Sequence, residues 1–178
     1  MLYARKINTT AWFLGSSLDS DAVSELRTSN HELSVWTIDE SKQDIDDIAL
    51  ALALTLDKID EMYIVFLNVN DITNKYKWEI QTSPQPGKTQ YVAMQNRHIN
   101  FVVPTFWEQG YLTEYIQELV NDKNNTDGNL NYVYYDVPTL KELLYEAVKT
   151  GKITKADLNN VGRWKKSLSQ EEAVRGIL

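Results

Sequence analysis

Apolar and polar residues alternate along the chain in a way that predicts five strands separated by helices. Short runs of apolar, β-branched and aromatic residues indicate strands, and the segments between them carry apolar residues at helical spacing. This order is typical of βαβ units, whose crossovers place helices on both faces of a parallel sheet. Residues 1–7 add a predicted edge strand. The five predicted strands lie near residues 10–15, 33–38, 62–69, 99–103 and 131–135.

The run at residues 62–69 supports the parallel arrangement, because a strand that is apolar on both sides is typical of a sheet covered on both faces. We therefore predict a doubly wound α/β domain over residues 1–150, with a mostly parallel five-stranded sheet of the Rossmann or flavodoxin type. Residues 151–178 are predicted to form a small basic helical extension packed on this domain. Pro84, Pro86 and Gly87 predict a long loop over residues 73–89, with a short strand at 77–80.

The segment at residues 42–59 reads as a helix that is apolar on two sides. Alanine and leucine favour a helix over a strand here, and Ser41 supplies a cap. Leu50 and Leu54 fall off the main apolar face. Such a helix is either sandwiched in the core or packed against another subunit, which leaves a homodimer through this helix open.

Candidate binding residues follow from the predicted sheet. In an open parallel sheet, ligands bind beyond the carboxyl ends of the strands, where the N-termini of helices converge. The first turn, Gly15-Ser16-Ser17, suits an anion, although either serine could simply cap the helix. An acid at the end of the second strand could bind a ribose, or could also be a cap. The predicted ligand-binding residues are Gly15, Ser16, Ser17, Asp39, Asn68, Asn70, Thr105, Trp107 and Asp136.

Common catalytic signatures are absent. The chain has no phosphate-binding lysine loop, no dinucleotide glycine motif and no serine elbow. His31 and His98 fall at the starts of predicted strands, away from the ligand loops, so we expect neither a catalytic pair nor a metal site from them. Thr105 and Glu108 form a predicted capping box that begins a helix through Leu119, and Pro138 lies in the first turn of a predicted helix that Gly151 ends. Trp107 differs from the other aromatic residues, because it lies at the first of these helix starts, beside the predicted ligand edge, and could stack on a ring.

Composition narrows the function classes. The net charge of −7 argues against broad nucleic-acid binding, which needs positive surface. The charge is uneven, because the chain is net basic from Lys149 onward and acidic before it. The absence of cysteine excludes disulfides and thiolate sites, and no apolar run is long enough to span a membrane. We expect a cytoplasmic protein that needs no cofactor.

Five segments together resemble the nucleoside 2-deoxyribosyltransferase-like α/β domains over about the first 150 residues. They are AWFLGSS, LRTSNHELSVW, LALALTLDKIDEMYIVFLN, PGKTQYVAMQNRHINFVV and YYDVPTLKELLYEAV. The resemblance implies a carboxylate nucleophile after the third strand, but residues 86–95 contain no Asp or Glu. Glu79 or Glu108 would have to replace it, with Asp71 as acid or base.

Two functions follow as expectations. The first is binding of a nucleotide or nucleoside-like molecule at the sheet edge, with N-glycosidic bond cleavage or transfer if the chain is an enzyme. The second is a small acidic protein–protein interaction module, of the inhibitor, immunity or anti-defence type, without catalysis. The set of loops at the predicted sheet edge supports the first function, and the acidic charge, the two-sided apolar helix and the absent catalytic motifs suit the second as the alternative.

Overall fold

The computed structural model describes residues 1–12, 20–26, 30–39, 41–56, 59–122 and 131–154. Within these residues the fold is one six-stranded sheet with helices on both faces. The strands are β1 Leu2–Ile7, β2 Glu32–Ile38, β3 Met62–Asn68, β4 Gln81–Pro84, β5 His98–Val102 and β6 Tyr132–Tyr135. The helices are α1 Thr9–Trp12, α2 Ser20–Glu25, α3 Lys42–Ala53, α4 Val69–Tyr76, α5 Phe106–Asn121 and α6 Val137–Lys149, with a 3₁₀ turn at Val92–Arg97.

The predicted parallel, Rossmann-like sheet is wrong. The strand order is β4-β5-β2-β1-β3-β6, and every neighbouring pair is antiparallel. β3 is buried along most of its length, as predicted. Burial did not reveal the strand direction, because helices on both faces of an antiparallel sheet bury a strand equally well. The predicted edge strand at residues 1–7 is β1, which lies in the interior of the sheet between β2 and β3.

Two other element predictions need correction. The strand predicted at residues 10–15 is helical in its described part, because α1 covers Thr9–Trp12. The long loop predicted over residues 73–89 contains the end of α4 and all of β4. The predictions for β2, β3, β5 and β6 are confirmed, as are those for α3, α5 and α6.

Each sheet face carries its own apolar core. Helices α3 and α6 pack on one face, which we call face A, with Ala4, Ile64 and Phe66 among the buried strand residues. Helices α2, α4 and α5 pack on the other, face B, against Tyr3, Val65 and Phe101. On α3, Leu50 and Leu54 are both buried in the face A core, so the second apolar side of this helix is covered within the chain. A homodimer through residues 42–59 stays a prediction.

The ladder between β1 and β2 is short. It ends at Ala4 and Trp36, whereas the ladder between β1 and β3 continues to Ile7. Beyond Ala4, the Arg5 guanidinium donates to the backbone oxygens of Ser34 (2.8 Å) and Glu25 (3.2 Å). Burial lowers the pKa of Arg5 to about 10, and the nearby Glu25 opposes this shift. An arginine side chain therefore replaces strand pairing in the middle of the sheet.

The first residues of the predicted basic extension pack on the domain. Ile153 is buried, and the Lys152 ammonium lies 2.6 Å from a carboxylate oxygen of Asp47 on α3. Residues 155–178 lie outside the described part, as do the helices predicted there. Among the described helices, none combines the length and apolar character that crossing a membrane would require.

Candidate functional site

The antiparallel order distributes the predicted ligand loops over two edges of the sheet. We call the edge at which β2, β3 and β4 end the upper rim, and the edge at which β1, β5 and β6 end the lower rim. Asp39 and Asn68 follow β2 and β3 and lie at the upper rim. Thr105 and Asp136 follow β5 and β6 and lie at the lower rim. The predicted convergence at one edge is therefore wrong, and Gly15, Ser16 and Ser17 lie outside the described residues.

The predicted catalytic carboxylates are also separated. Asp71 is exposed in the first turn of α4 at the upper rim, next to the exposed Asn70. Glu108 lies in the first turn of α5 at the lower rim, and Glu79 is exposed just before β4 begins there. Asp71 and Glu108 thus lie at opposite ends of the strands. The structure does not bring them together as an acid and nucleophile pair.

At the upper rim, the predicted polar residues bind their own turns. Both the backbone N–H and the hydroxyl of Ser41 donate to Asp39 Oδ1, at 3.1 and 2.9 Å. These bonds, the backbone bond first, lower the pKa of Asp39. The Asn68 side chain caps α4 by accepting from the N–H of Asn70 at 3.0 Å. Asn68 is therefore a helix cap, whereas Asp39 holds the turn before Ser41, which is the N-cap of α3.

Side-chain caps also begin the two helices at the lower rim. Thr105 caps α5 by accepting from the N–H of Trp107 at 3.1 Å, and its hydroxyl donates to the Glu108 carboxylate. This hydroxyl bond lowers the pKa of Glu108. Asp136 caps α6 by accepting from the N–H of Thr139 at 2.8 Å. The capping box predicted at residues 105–108 is confirmed, and it occupies two of the predicted site residues.

Two aromatic side chains distinguish the lower rim. Phe106 and Trp107 form the first residues of α5, and 72% of the surface of each is exposed. Neither ring belongs to either apolar core. Both residues fall off the apolar stripe through which α5 packs on face B, because that stripe runs through Leu112 and Ile116. The fold therefore holds two adjacent aromatic rings in solvent.

A cleft of about 270 Å³ lies beside Phe106. Phe106 and His31 contribute to its wall, and Gln109 closes one side while donating to the Val23 carbonyl of α2 at 2.7 Å. His31 has a φ of 58°, and its carbonyl accepts from the N–H of Val103 at 2.7 Å. This left-handed conformation fixes His31 at the cleft. The remaining lining residues are Leu26, Val103, Pro104 and Thr105.

Carboxylates lie along the same rim of the sheet. Several acidic residues immediately precede or follow the strands at the lower rim, and the Glu25 carboxylate accepts from the N–H of Asn8, directly after β1, at 2.9 Å. Lys6 is the basic residue of β1 nearest this edge. We call Phe106, Trp107, the cleft and these carboxylates the aromatic–acidic surface. The carboxylates are those of Glu25, Glu61, Glu79, Glu108 and Asp136.

A second cleft, of about 230 Å³, lies between α3 and α6. Its carboxylates are already paired, because Lys42 contacts Asp46 at 2.5 Å and Lys152 contacts Asp47 at 2.6 Å. The Tyr135 hydroxyl also donates to Asp46 at 2.6 Å. Within the described residues, no group of three potential metal ligands is present. This cleft is therefore internally neutralised and offers no comparable binding surface.

Comparison with protein-family models, curated proteins and solved structures finds no match to this chain. The resemblance to nucleoside 2-deoxyribosyltransferase-like domains stays a prediction, and so does nucleotide binding, although its ligand loops do not converge.

Sequence reasoning selected Trp107 but missed Phe106 and His31. The signal for Phe106 was present, because it adjoins Trp107 and lies off the apolar stripe of α5. His31 was set aside because the parallel arrangement placed it at the wrong edge.

Proposed function

We propose that this chain is a protein-interaction module that binds a partner protein through the aromatic–acidic surface. One observation carries the proposal: Phe106 and Trp107 are adjacent, each is 72% exposed, and Phe106 lines a cleft. Aromatic anchors beside a pocket, with polar residues around them, are typical of the centre of a protein interface. The proposal includes the cytoplasmic location that the cysteine-free composition predicts.

The energetics favour binding over a structural role for these rings. An aromatic side chain buries about 150–250 Å² when it is fully covered, and each Å² of apolar surface is worth about 25 cal/mol. Phe106 and Trp107 leave most of that gain unused in the isolated chain. A partner that covers both rings would recover it, and such anchors typically contribute about 2 kcal/mol or more each.

Charge defines the chemistry of the partner. The carboxylates along the lower rim, together with the net charge of −7, favour a partner with a basic surface that surrounds an apolar patch. Opposite charges accelerate encounter and restrict the choice of partner, whereas the aromatic rings supply most of the affinity. Because salt screens exposed charges, binding should weaken as ionic strength rises.

Affinity capture with matched variants tests the proposal. The wild-type chain is compared with the double variant Phe106→Ser/Trp107→Ser and with Val92→Ser, which removes a 69% exposed apolar residue from the 3₁₀ turn. We expect the wild type and Val92→Ser to retain one stoichiometric protein, less of it at high salt. The double variant should bind that protein at least about 30-fold more weakly, which corresponds to about 2 kcal/mol.

Two outcomes would overturn the proposal. Capture that is equal for the double variant and the wild type would place binding elsewhere. Sedimentation equilibrium provides the second criterion, because a wild-type dimer that dissociates on Phe106→Ser/Trp107→Ser would show that the rings bind a second copy rather than a different protein.

A further inference from the structure

A serine and a histidine form a hydrogen-bonded pair on face A of the sheet, apart from the aromatic–acidic surface. Ser34 lies in the middle of β2 and is exposed, and His98 is the first residue of β5. The Ser34 hydroxyl oxygen is hydrogen-bonded to His98 Nε2. The other ring nitrogen, Nδ1, is 2.8 Å from the backbone oxygen of Gln85.

The contact with Gln85 determines which nitrogen of His98 carries the proton. A backbone carbonyl oxygen can only accept, so Nδ1 must donate to it. In neutral imidazole, Nε2 then holds the lone pair and accepts from the Ser34 hydroxyl. A serine whose hydroxyl donates to a histidine, with that histidine oriented by a third group, is the arrangement that activates nucleophilic serines.

The histidine ring is held in place from two sides. Trp36 packs edge-on against it, with ring centroids 5.3 Å apart and an interplanar angle of 74°. Gly87 lets the backbone approach both rings, since a Cβ at this position would lie 2.8 Å from Trp36 Cη2 and 3.1 Å from His98 Cβ. A base that is fixed before substrate binds loses less entropy in the reaction.

The neighbouring polar groups could stabilise a developing negative charge. Glu32 Oε2 accepts from the side-chain amides of Gln85 (3.1 Å) and Asn100 (3.0 Å). Asn100 lies opposite Ser34 in the ladder between β2 and β5. Each amide has a second N–H that its bond to Glu32 does not use. An amide N–H directed at the reacting oxygen is a common form of oxyanion stabilisation.

We propose that Ser34 is a nucleophile activated by His98, and that this site accepts the acyl group of an activated carboxylic ester. Ser34 Oγ attacks the acyl carbon while its proton moves to His98 Nε2. The bond between the acyl carbon and the leaving oxygen then breaks, and the leaving alcohol takes the proton from His98. Water attacks the resulting serine ester by the reverse route, which releases the carboxylic acid and restores Ser34.

The exposure of Ser34 defines the substrate class further. Ser34 is exposed on the sheet, so the site suits an ester whose acyl group is small and accessible. This inference is independent of partner binding, because Ser34 and His98 lie on face A and not among the residues of the aromatic–acidic surface. Either proposal can fail without the other.

Acylation of the full chain by p-nitrophenyl acetate tests the proposal. Burst kinetics measure the rate of acylation, and peptide mapping of the wild-type protein locates the acetyl group without any variant. Ser34→Ala should abolish the burst, and His98→Gln should slow it about 10²–10⁴-fold, the range typical of a lost general base. Ser83→Ala is the matched control, because Ser83 lies on β4 opposite Asn100, and it should keep the wild-type rate.

Near-ultraviolet circular dichroism establishes that each variant is folded. The proposal is overturned if the acetyl group maps to another residue of the wild type. It is equally overturned if folded His98→Gln reacts at the wild-type rate, or if no burst occurs in the wild type.

Discussion

The two rims of the sheet begin helices in the same way but differ in what they leave exposed. At the upper rim, polar groups bind one another, as Asp44 on α3 does with Arg97 before β5. At the lower rim, the caps Thr105 and Asp136 are equally complete, yet Phe106 and Trp107 remain in solvent. Capping therefore explains Asn68, Thr105 and Asp136, whereas the exposed aromatic rings are the feature that the proposed partner would cover.

Removing the Asp44 carboxylate should have the largest effect, and only on stability. Asp44 is 6% exposed and accepts from Arg97 Nη2 and from the N–H of Asp39, at 2.8 and 2.9 Å. Asp44→Ala leaves the Arg97 charge without its carboxylate partner, so we expect the free energy of unfolding, measured in urea, to fall by about 3–5 kcal/mol. Asp71→Ala, which removes an exposed carboxylate at the same rim, should cost less than about 1 kcal/mol. Equal losses for the two variants would show that the upper rim is not held by this pair.

Two glycines, one near each rim, should respond to alanine with opposite signs. Gly87 contacts Trp36 and His98, so Gly87→Ala overpacks this region and should destabilise the fold by about 1–3 kcal/mol. Gly110 lies within α5 with nothing within 4 Å of an added Cβ, so Gly110→Ala should stabilise by about 0.5–1 kcal/mol. Thermal unfolding of both variants measures the contrast. A stabilising Gly87→Ala would contradict the described packing around His98.

The smallest expected effect is a pH dependence that both rims share. Thr139 lowers the pKa of Asp136, and Ser41 lowers that of Asp39. A carboxylate whose pKa is lowered in the folded state stabilises the fold at pH values above its ordinary pKa of 3.8. This stabilisation is lost as the pH falls through the folded-state pKa. Asp136→Asn keeps a cap of α6 and Asp39→Asn keeps an acceptor for Ser41, but neither side chain titrates, so the stability of both variants should approach that of the wild type as the pH falls from 6 to 3. A deficit that grows on acidification would contradict the capping roles.

Local elements were predictable from the sequence, but their direction in the sheet was not. Hydrophobic periodicity and caps such as Ser41 and Thr105 located α3 and α5, because these signals act within one or two turns. Strand direction depends on pairing between distant segments. The residues of β3 are apolar on both sides whether its neighbours run parallel or antiparallel, so nothing within residues 62–68 distinguishes the two arrangements.

The candidate site was predictable only in part, for the same reason. Trp107 could be selected because it lies at the start of a capped helix, and this local signal holds in either fold. The positions of His31 and His98 depend on strand direction, so the parallel prediction misplaced both. The Ser34–His98 contact spans β2 and β5 and requires their antiparallel register, which pairs Trp36 with His98 and Ser34 with Asn100. A single sequence contains no local signal for that register.

Site-specific photocrosslinking in cells tests the central claim most directly. A benzophenone amino acid replaces Trp107 in one variant and Val92, which is similarly exposed outside the aromatic–acidic surface, in the other. We predict a discrete crosslink to one partner protein from position 107, which disappears when Phe106→Ser is added, and no such product from position 92. The absence of a crosslink from position 107, or the same product from both positions, would contradict the account.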